Sequence, residues 1–131
     1  MQTRDTPQGG HGERVLIVDD QETVLLLVHQ ALEQDGYNVT VAGDPLEALA
    51  IAEHEPEYNL LLTDVAMPTL NGAELATRLS SRAPQMKIIL MSGNATGPHT
   101  TYPGRASFLQ KPFTIAELTA KVRKTLDSDS A

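Results

Sequence analysis

Residues 60–72 read LLLTDVAMPTLNG, an apolar run that ends at the carboxylate of Asp64 and then enters a turn containing Pro68 and Gly72. A short continuous apolar run is typical of a strand that is buried on both faces of a parallel sheet. A carboxylate at the end of such a strand is costly to bury unless other groups neutralise it. The stretch therefore predicts a central strand and a set of charged partners at its end.

Four further runs have the character of strands, and helical patterns alternate with them. The strand-like runs are RVLIVDD (14–20), YNVTVAG (37–43), MKIILMSG (86–93) and ASFLQK (106–111), and the helical patterns cover residues 22–34, 45–55, 72–82 and 114–127. Strands that alternate with helices predict right-handed βαβ units and a parallel sheet covered on both faces. We expect an α/β fold with a doubly wound, five-stranded parallel sheet.

The segment between the fourth and fifth predicted strands breaks this rhythm. It contains Gly97, Pro98, Pro103 and Gly104, and each interior proline costs a helix about 3 kcal/mol. We therefore expect residues 94–104 to be short and irregular where a fourth crossover helix would otherwise lie.

We predict one domain over residues 14–126, a flexible tail or linker at 1–13 and a short tail at 127–131.

The composition excludes several classes of protein. The 131 residues carry a formal net charge of −7 and contain no cysteine. An acidic balance argues against nucleic acid and anionic membranes as partners, and no apolar run approaches the roughly 18 residues of a membrane span. The absence of thiols fits a reducing compartment, and we expect a cytoplasmic protein.

Charged and polar side chains follow four of the predicted strands. In a doubly wound sheet, ligands bind at the carboxyl ends of the strands, near the point where the winding direction switches. Carboxylates about 4 Å apart repel by about 4 kcal/mol at an effective dielectric of about 20, so the acids need a cation. Oxygen ligands with room for water suit Mg²⁺. The residues at this edge are Asp19, Asp20, Asp64, Ser92 and Lys111.

This set of groups could carry out phosphoryl transfer onto the protein itself. A carboxylate can act as a nucleophile toward phosphorus and form an acyl phosphate. Mg²⁺ and Lys111 would hold the oxygens on which charge develops, and the Ser92 hydroxyl could donate a hydrogen bond to one of them.

The motifs at the strand ends together resemble the receiver domain of two-component response regulators. They are VDD after the first strand, DVAMPTLNG after the third, MSG after the fourth and FLQKPF at the fifth. The resemblance covers residues 14–126. It implies a flavodoxin-like fold with strand order 2-1-3-4-5.

The resemblance also implies a role for each site residue. Asp64 would be the phosphoacceptor, and Asp20, Asp64 and the backbone carbonyl of Ala66 would bind Mg²⁺, or Mn²⁺ in its place, with Asp19 acting through water. Ser92 and Lys111 would contact the phosphoryl group. Phe108 would be a switch residue that moves with Ser92. The peptide bond before Pro112 would be cis.

The implied function is signalling in a histidine-aspartate relay. The phosphoryl group would come from a histidine kinase or a histidine phosphotransfer protein, and the domain would catalyse only its own phosphorylation and dephosphorylation. Phosphorylation would switch binding to a downstream protein. We expect a monomer or weak dimer that binds neither nucleic acid nor membrane. The opening GHGERVLIVDDQ resembles receivers attached to hybrid sensor kinases, so both a stand-alone regulator and a hybrid-kinase receiver stay open.

Three alternatives share parts of this pattern. A flavodoxin-like module that binds FMN needs a phosphate-cradling loop after the first strand, where this chain has DDQETV. A haloacid-type phosphatase needs a second acid two residues after the nucleophile, where this chain has Ala66. A receiver-like scaffold that binds partners without phosphorylation would not need the acids and Lys111.

Overall fold

The computed structural model describes residues 10–54, 57–67, 70–93 and 106–127. The segment predicted to be irregular, residues 94–104, lies outside these ranges. The strands are Arg14–Val18 (β1), Asn38–Ala42 (β2), Leu60–Asp64 (β3), Lys87–Ser92 (β4) and Ala106–Gln110 (β5), and the helices are Glu22–Gln34 (α1), Pro45–His54 (α2), Gly72–Arg82 (α3) and Ile115–Asp127 (α4). All nine elements fall within the strand and helix patterns of the sequence.

The five strands form one parallel sheet in the order β2-β1-β3-β4-β5, which confirms the predicted fold. All five residues of β3 are buried, as expected for the central strand of a sheet covered on both faces. In the register, Val18 pairs with Thr63, and Asp64 pairs with Met91. The residue after β1 and the last residue of β3 therefore reach the same edge of the sheet.

Strand residues alternate between two apolar cores, one on each face. Val15, Ile17 and Leu62 pack with α1 and α4, whereas Leu16 and Leu61 pack with α2 and α3. Fully burying one such side chain contributes about 1.5–3 kcal/mol. The two cores hold the sheet edge, and hence the side chains on it, in fixed positions.

Local capping interactions start three of the helices. Asp44 accepts a hydrogen bond from the Glu47 N–H (2.9 Å) at α2. Asn71 and Glu74 exchange two such bonds at α3 (2.8 and 3.1 Å), and Thr114 and Glu117 do the same before α4. Among the described helices, α1 starts differently, since its N-cap residue makes no side-chain capping bond. These caps define where each helix begins relative to the strand before it.

Residues 10–13, which the sequence assigns to a flexible tail, contact the folded domain. The N–H groups of Gly10 and Gly12 donate to the carbonyls of Asp35 (2.7 Å) and Gly36 (2.8 Å) in the turn after α1. The Arg123 guanidinium lies 3.1 Å from the Glu13 carboxylate and 2.8 Å from the Asp127 carboxylate. This docked segment therefore extends the packed part of the chain to a point before Arg14.

None of the helices in the described ranges has the length and apolar character needed to cross a bilayer.

Candidate functional site

Three aspartates meet at the carboxyl end of the sheet, between the ends of β1 and β3. One carboxylate oxygen from each of Asp19, Asp20 and Asp64 lies within 4.8 Å of the others. Asp19 is fully buried and Asp64 is 6% exposed, while Asp20 faces solvent. The structure thus brings together the three acids that the sequence predicts to form a cluster.

Lys111 reaches this cluster from the loop after β5. Its Nζ lies 2.9 Å from Asp19 Oδ2 and 3.3 Å from Asp64 Oδ1. The Lys111 N–H donates to the Ser92 carbonyl at 2.7 Å, which places the lysine beside the end of β4. The peptide bond between Lys111 and Pro112 is cis. One ammonium group therefore bridges the two buried acids, which answers in part how Asp64 is tolerated.

The buried acid and the ammonium change one another's ionisation. Burial raises the pKa of Asp64, the Asp19 carboxylate raises it further, and Lys111 only partly offsets these effects. Burial lowers the pKa of Lys111, but its hydrogen bond to Asp19 and the charges of both acids outweigh this and raise it overall. The site thus has more negative charge than its one lysine compensates, which favours a further cation.

Hydrogen bonds to β4 and to the first residue of α3 hold the backbone next to Asp64. The Val65 N–H donates to the Met91 carbonyl of β4, and the Val65 carbonyl accepts from the Gly72 N–H, each at 2.9 Å. The Thr63 hydroxyl donates to the Asp64 carbonyl at 3.0 Å. Ala66 follows as an exposed residue, and the role of its carbonyl as a metal ligand stays a prediction.

Ser92 lies on β4, which is next to β3, and Phe108 lies on β5, the strand beyond β4. Ser92 is the last residue of β4, and its carbonyl contacts the Lys111 N–H. Phe108 is in β5, pairs with Leu90 and is 36% exposed. Both residues make interactions in the folded chain. Their roles as a phosphoryl contact and a switch stay predictions.

The donor set fits a small divalent cation. Three carboxylates can each supply an oxygen within a span of 4.8 Å, and hard cations such as Mg²⁺ prefer oxygen ligands. The exposure of Asp20 leaves one side of the cluster open to water, which Mg²⁺ retains in most protein sites. The cluster can therefore hold a metal ion.

Two residues matter to this architecture in ways that the sequence reasoning missed. The sequence places Gly72 in a turn and at the start of a helix but does not indicate that its backbone lies against the Asp64 peptide. A glycine between a helix-capping asparagine and the first turn of a helix is the signal that could have suggested a close contact. Arg123 lies within the last predicted helix, and the structure pairs it with Glu13. That contact joins residues 110 positions apart, so no local pattern indicates it.

Comparisons with known proteins agree with the fold. The family described as "Response regulator receiver domain" matches residues 15–123. The response regulator receiver protein CpdR of Brucella abortus (strain 2308) is 34% identical over 117 residues, which cover 87% of this chain and 97% of CpdR. The sensor kinase CckA of the same strain is 32% identical over 117 residues, which cover 86% of this chain but only 12% of the kinase.

A solved structure gives the same result in three dimensions. The CheY-like response regulator receiver domain protein from Methanospirillum hungatei JF-1 superposes with a TM-score of 0.81 at 34% identity, covering 88% of this chain and 94% of that chain. The match in sequence spans nearly the whole described chain, and the match in structure covers 88% of the chain. The chain therefore belongs to the family of receiver domains of two-component response regulators.

Proposed function

We propose that this receiver domain accepts a phosphoryl group on Asp64 in the presence of Mg²⁺ and thereby switches its affinity for a partner protein. One observation carries the proposal: the buried Asp64 carboxylate lies in a cluster with two further aspartates within 4.8 Å and with the Lys111 ammonium 3.3 Å away. A nucleophilic carboxylate needs cationic groups beside it to stabilise the charge on a transferring phosphoryl group.

The proposed reaction takes the phosphoryl group from a phosphohistidine. An Asp64 carboxylate oxygen forms a bond to phosphorus while the bond from phosphorus to the histidine nitrogen breaks. The electron pair of that bond stays on the nitrogen, and the imidazole is released in its neutral form after proton exchange with water. Hydrolysis reverses the modification, since a water oxygen bonds to phosphorus, inorganic phosphate leaves and the Asp64 carboxylate returns. The domain catalyses these two steps on itself and no others.

Asp19, Asp20 and Asp64 would hold Mg²⁺, together with the Ala66 carbonyl, and Mn²⁺ would substitute. The ion neutralises negative charge on the phosphoryl oxygens when it is bound. Lys111 already bridges Asp19 and Asp64, and we propose that it turns from these acids toward the phosphoryl oxygens. Ser92 would donate its hydroxyl to another of those oxygens, and Phe108 would move with it to change the surface near β5.

Intact-mass measurement after incubation with Mg²⁺ and acetyl phosphate tests the proposed function. Wild type should gain the mass of one phosphoryl group, and the Asp64→Asn variant should not. Asp44→Asn is the matched control, because Asp44 follows β2 at the same sheet edge and asparagine keeps its capping role. A labelled Asp64→Asn variant, or an unlabelled wild type, would refute the proposal and favour a scaffold that works without phosphorylation.

The phosphohistidine partner is proposed to dock over α1, which begins directly after the acids. Leu26 and Leu27 of this helix are neighbouring apolar side chains that are 57% and 43% exposed. Beside them, Thr23, His29 and Val41 line a shallow groove with a volume of about 420 Å³. The partner would be a histidine kinase or a histidine phosphotransfer protein. The similarity to both CpdR and the CckA kinase supports either a stand-alone or a kinase-linked receiver.

Paired substitutions can separate docking from chemistry. Leu26→Glu should slow labelling by a phosphorylated histidine phosphotransfer domain that labels wild type, while labelling by acetyl phosphate stays unchanged. Leu46→Glu in α2 is the control, since Leu46 is also 57% exposed and lies on the opposite face of the sheet. Equal slowing in both variants would exclude α1 as the specific docking face.

A further inference from the structure

Gly72, the first residue of α3, lies unusually close to the backbone of Asp64. A Cβ atom built on Gly72 would overlap the Asp64 carbonyl oxygen and would lie 2.9 Å from its carbonyl carbon. Both are backbone atoms, so no side-chain rotation can make room. The φ angle of Gly72 is not in the positive range, so its special requirement is close approach and not an unusual backbone conformation.

Packing and hydrogen bonds hold both α3 and the end of β3 in place at this contact. On one side, the capping bonds between Asn71 and Glu74 set the start of α3, and Leu75 and Leu79 bury the helix against the sheet. On the other side, Asp64 is the last residue of the fully buried β3. A side chain at position 72 would therefore displace the Asp64 peptide or the loop that follows it.

The loop after Asp64 begins at the acid site. The Gly72 N–H donates to the Val65 carbonyl at 2.9 Å, so the same residue that leaves space for Asp64 also binds the next peptide. Val65 is bound to β4 as well, through Met91. A displaced Val65 would alter the direction of the Asp64 side chain relative to Asp19.

We propose that Gly72 is a positioning residue of the phosphoacceptor site: its missing side chain lets α3 start against the Asp64 peptide and fixes the Asp64 carboxylate relative to Asp19 and Asp20. The inference rests on the proposed function, because the geometry it concerns is that of the Mg²⁺ site. Groups that orient metal ligands without touching the metal change its affinity by about 10–100-fold.

Calorimetric titration with Mg²⁺ tests this role in the full chain. Gly72→Ala should bind Mg²⁺ at least about tenfold more weakly than wild type. Gly43→Ala should bind as wild type does, because a Cβ there meets the Glu47 side chain at an ordinary 3.8 Å. Thr114→Ala should lower the urea midpoint in EDTA by removing the cap of a different helix, α4, yet leave Mg²⁺ affinity unchanged.

The outcomes separate the two proposals. If Thr114→Ala loses as much Mg²⁺ affinity as Gly72→Ala, the loss reflects lower overall stability and the inference is wrong. If wild type itself binds no Mg²⁺, the proposed function fails instead. For the case in which Gly72→Ala does not fold, amide spectra of wild type supply the test. Mg²⁺ should shift the Gly72 resonance more than that of Gly43, and an unshifted Gly72 would overturn the inference.

Discussion

In its proposed role Asp64 meets two opposing requirements, since it would have to be ionised to attack phosphorus and yet is 6% exposed. Its pKa is raised first by burial and then by Asp19, and Lys111 only partly compensates. The folded protein without a metal therefore holds a carboxylate whose charge costs stability. Such costs are common at sites that are organised for function and not for maximum stability.

Asp64→Asn should keep the fold and be at least as stable as wild type in EDTA. Asparagine preserves the shape of the side chain and removes one of three carboxylates whose mutual repulsion reaches a few kcal/mol at about 4 Å. Urea unfolding of both proteins in EDTA measures the difference. A clear loss of stability in the variant would mean that the ion pair with Lys111 outweighs the repulsion.

Lys111→Ala should lower stability in EDTA by about 3 kcal/mol or less, because it leaves Asp19 and Asp64 without their shared cation. Mg²⁺ should restore more stability to this variant than to wild type, since the metal takes over the neutralisation of both acids. Labelling by acetyl phosphate should nevertheless be slow. Lys124→Ala, at an exposed lysine of α4, is the control. Wild-type labelling in Lys111→Ala would contradict the proposed contact with the phosphoryl group.

The sequence was sufficient to predict which side chains meet at the site. Each of the acids and Lys111 directly follows or ends a strand, and parallel strands bring their carboxyl ends to one edge. Distances and exposure could not be predicted in this way. Nothing local in VDD distinguishes the buried Asp19 from the exposed Asp20, because the difference depends on Lys111, which lies 92 positions from Asp19.

At the scale of elements, the docked segment at residues 10–13 differs most from the expectation. Its glycines and polar residues have no periodicity, which is why the sequence predicts a tail. The structure pairs Gly10 and Gly12 with the turn after α1, and the close approach of Gly10 to Gly36 leaves no room for a Cβ. Helices and strands were predictable because their patterns repeat locally, whereas this contact joins distant parts of the chain.

Glu13→Gln should lower the free energy of unfolding at neutral pH by about 0.5–1 kcal/mol. The variant should then lose less stability than wild type when the pH is lowered. Burial raises the pKa of Glu13, but bonds from the His11 N–H and Arg123 outweigh this and hold it below its usual value. A lowered pKa gives stability that is present above the pKa of the unfolded chain, near 4.5, and is lost as pH falls through the folded value.

Urea midpoints of Glu13→Gln and wild type between pH 7 and about pH 3 measure this effect. The two midpoints should differ at neutral pH and become equal at the acid end. Glu57→Gln, at an exposed position, controls for the loss of one acidic charge. Parallel midpoint curves for Glu13→Gln and wild type would show that the pair with Arg123 contributes no pH-dependent stability.

For the whole molecule, Mg²⁺ should act as a stabilising ligand. An ion that binds only the folded state at 100 times its dissociation constant adds about 2.7 kcal/mol to the free energy of unfolding. Urea melts of wild type in EDTA and in increasing Mg²⁺ test this, and Asp64→Asn should gain less because it has lost a ligand. Identical melts of wild type with and without the ion would exclude the acid cluster as a metal site at these concentrations.

Arg123 gives the architecture one more consequence, because one nitrogen of its guanidinium contacts carboxylates from both ends of the domain, Glu13 at 3.1 Å and Asp127 at 2.8 Å. The polypeptide thus enters and leaves the folded unit at the same spot. A unit of this shape can be spliced into a surface loop of a carrier protein without forcing the carrier's chain apart. The same closeness permits circular permutation, in which a short linker joins residue 127 to residue 13 and new ends open in the exposed turn at Pro84 and Gln85.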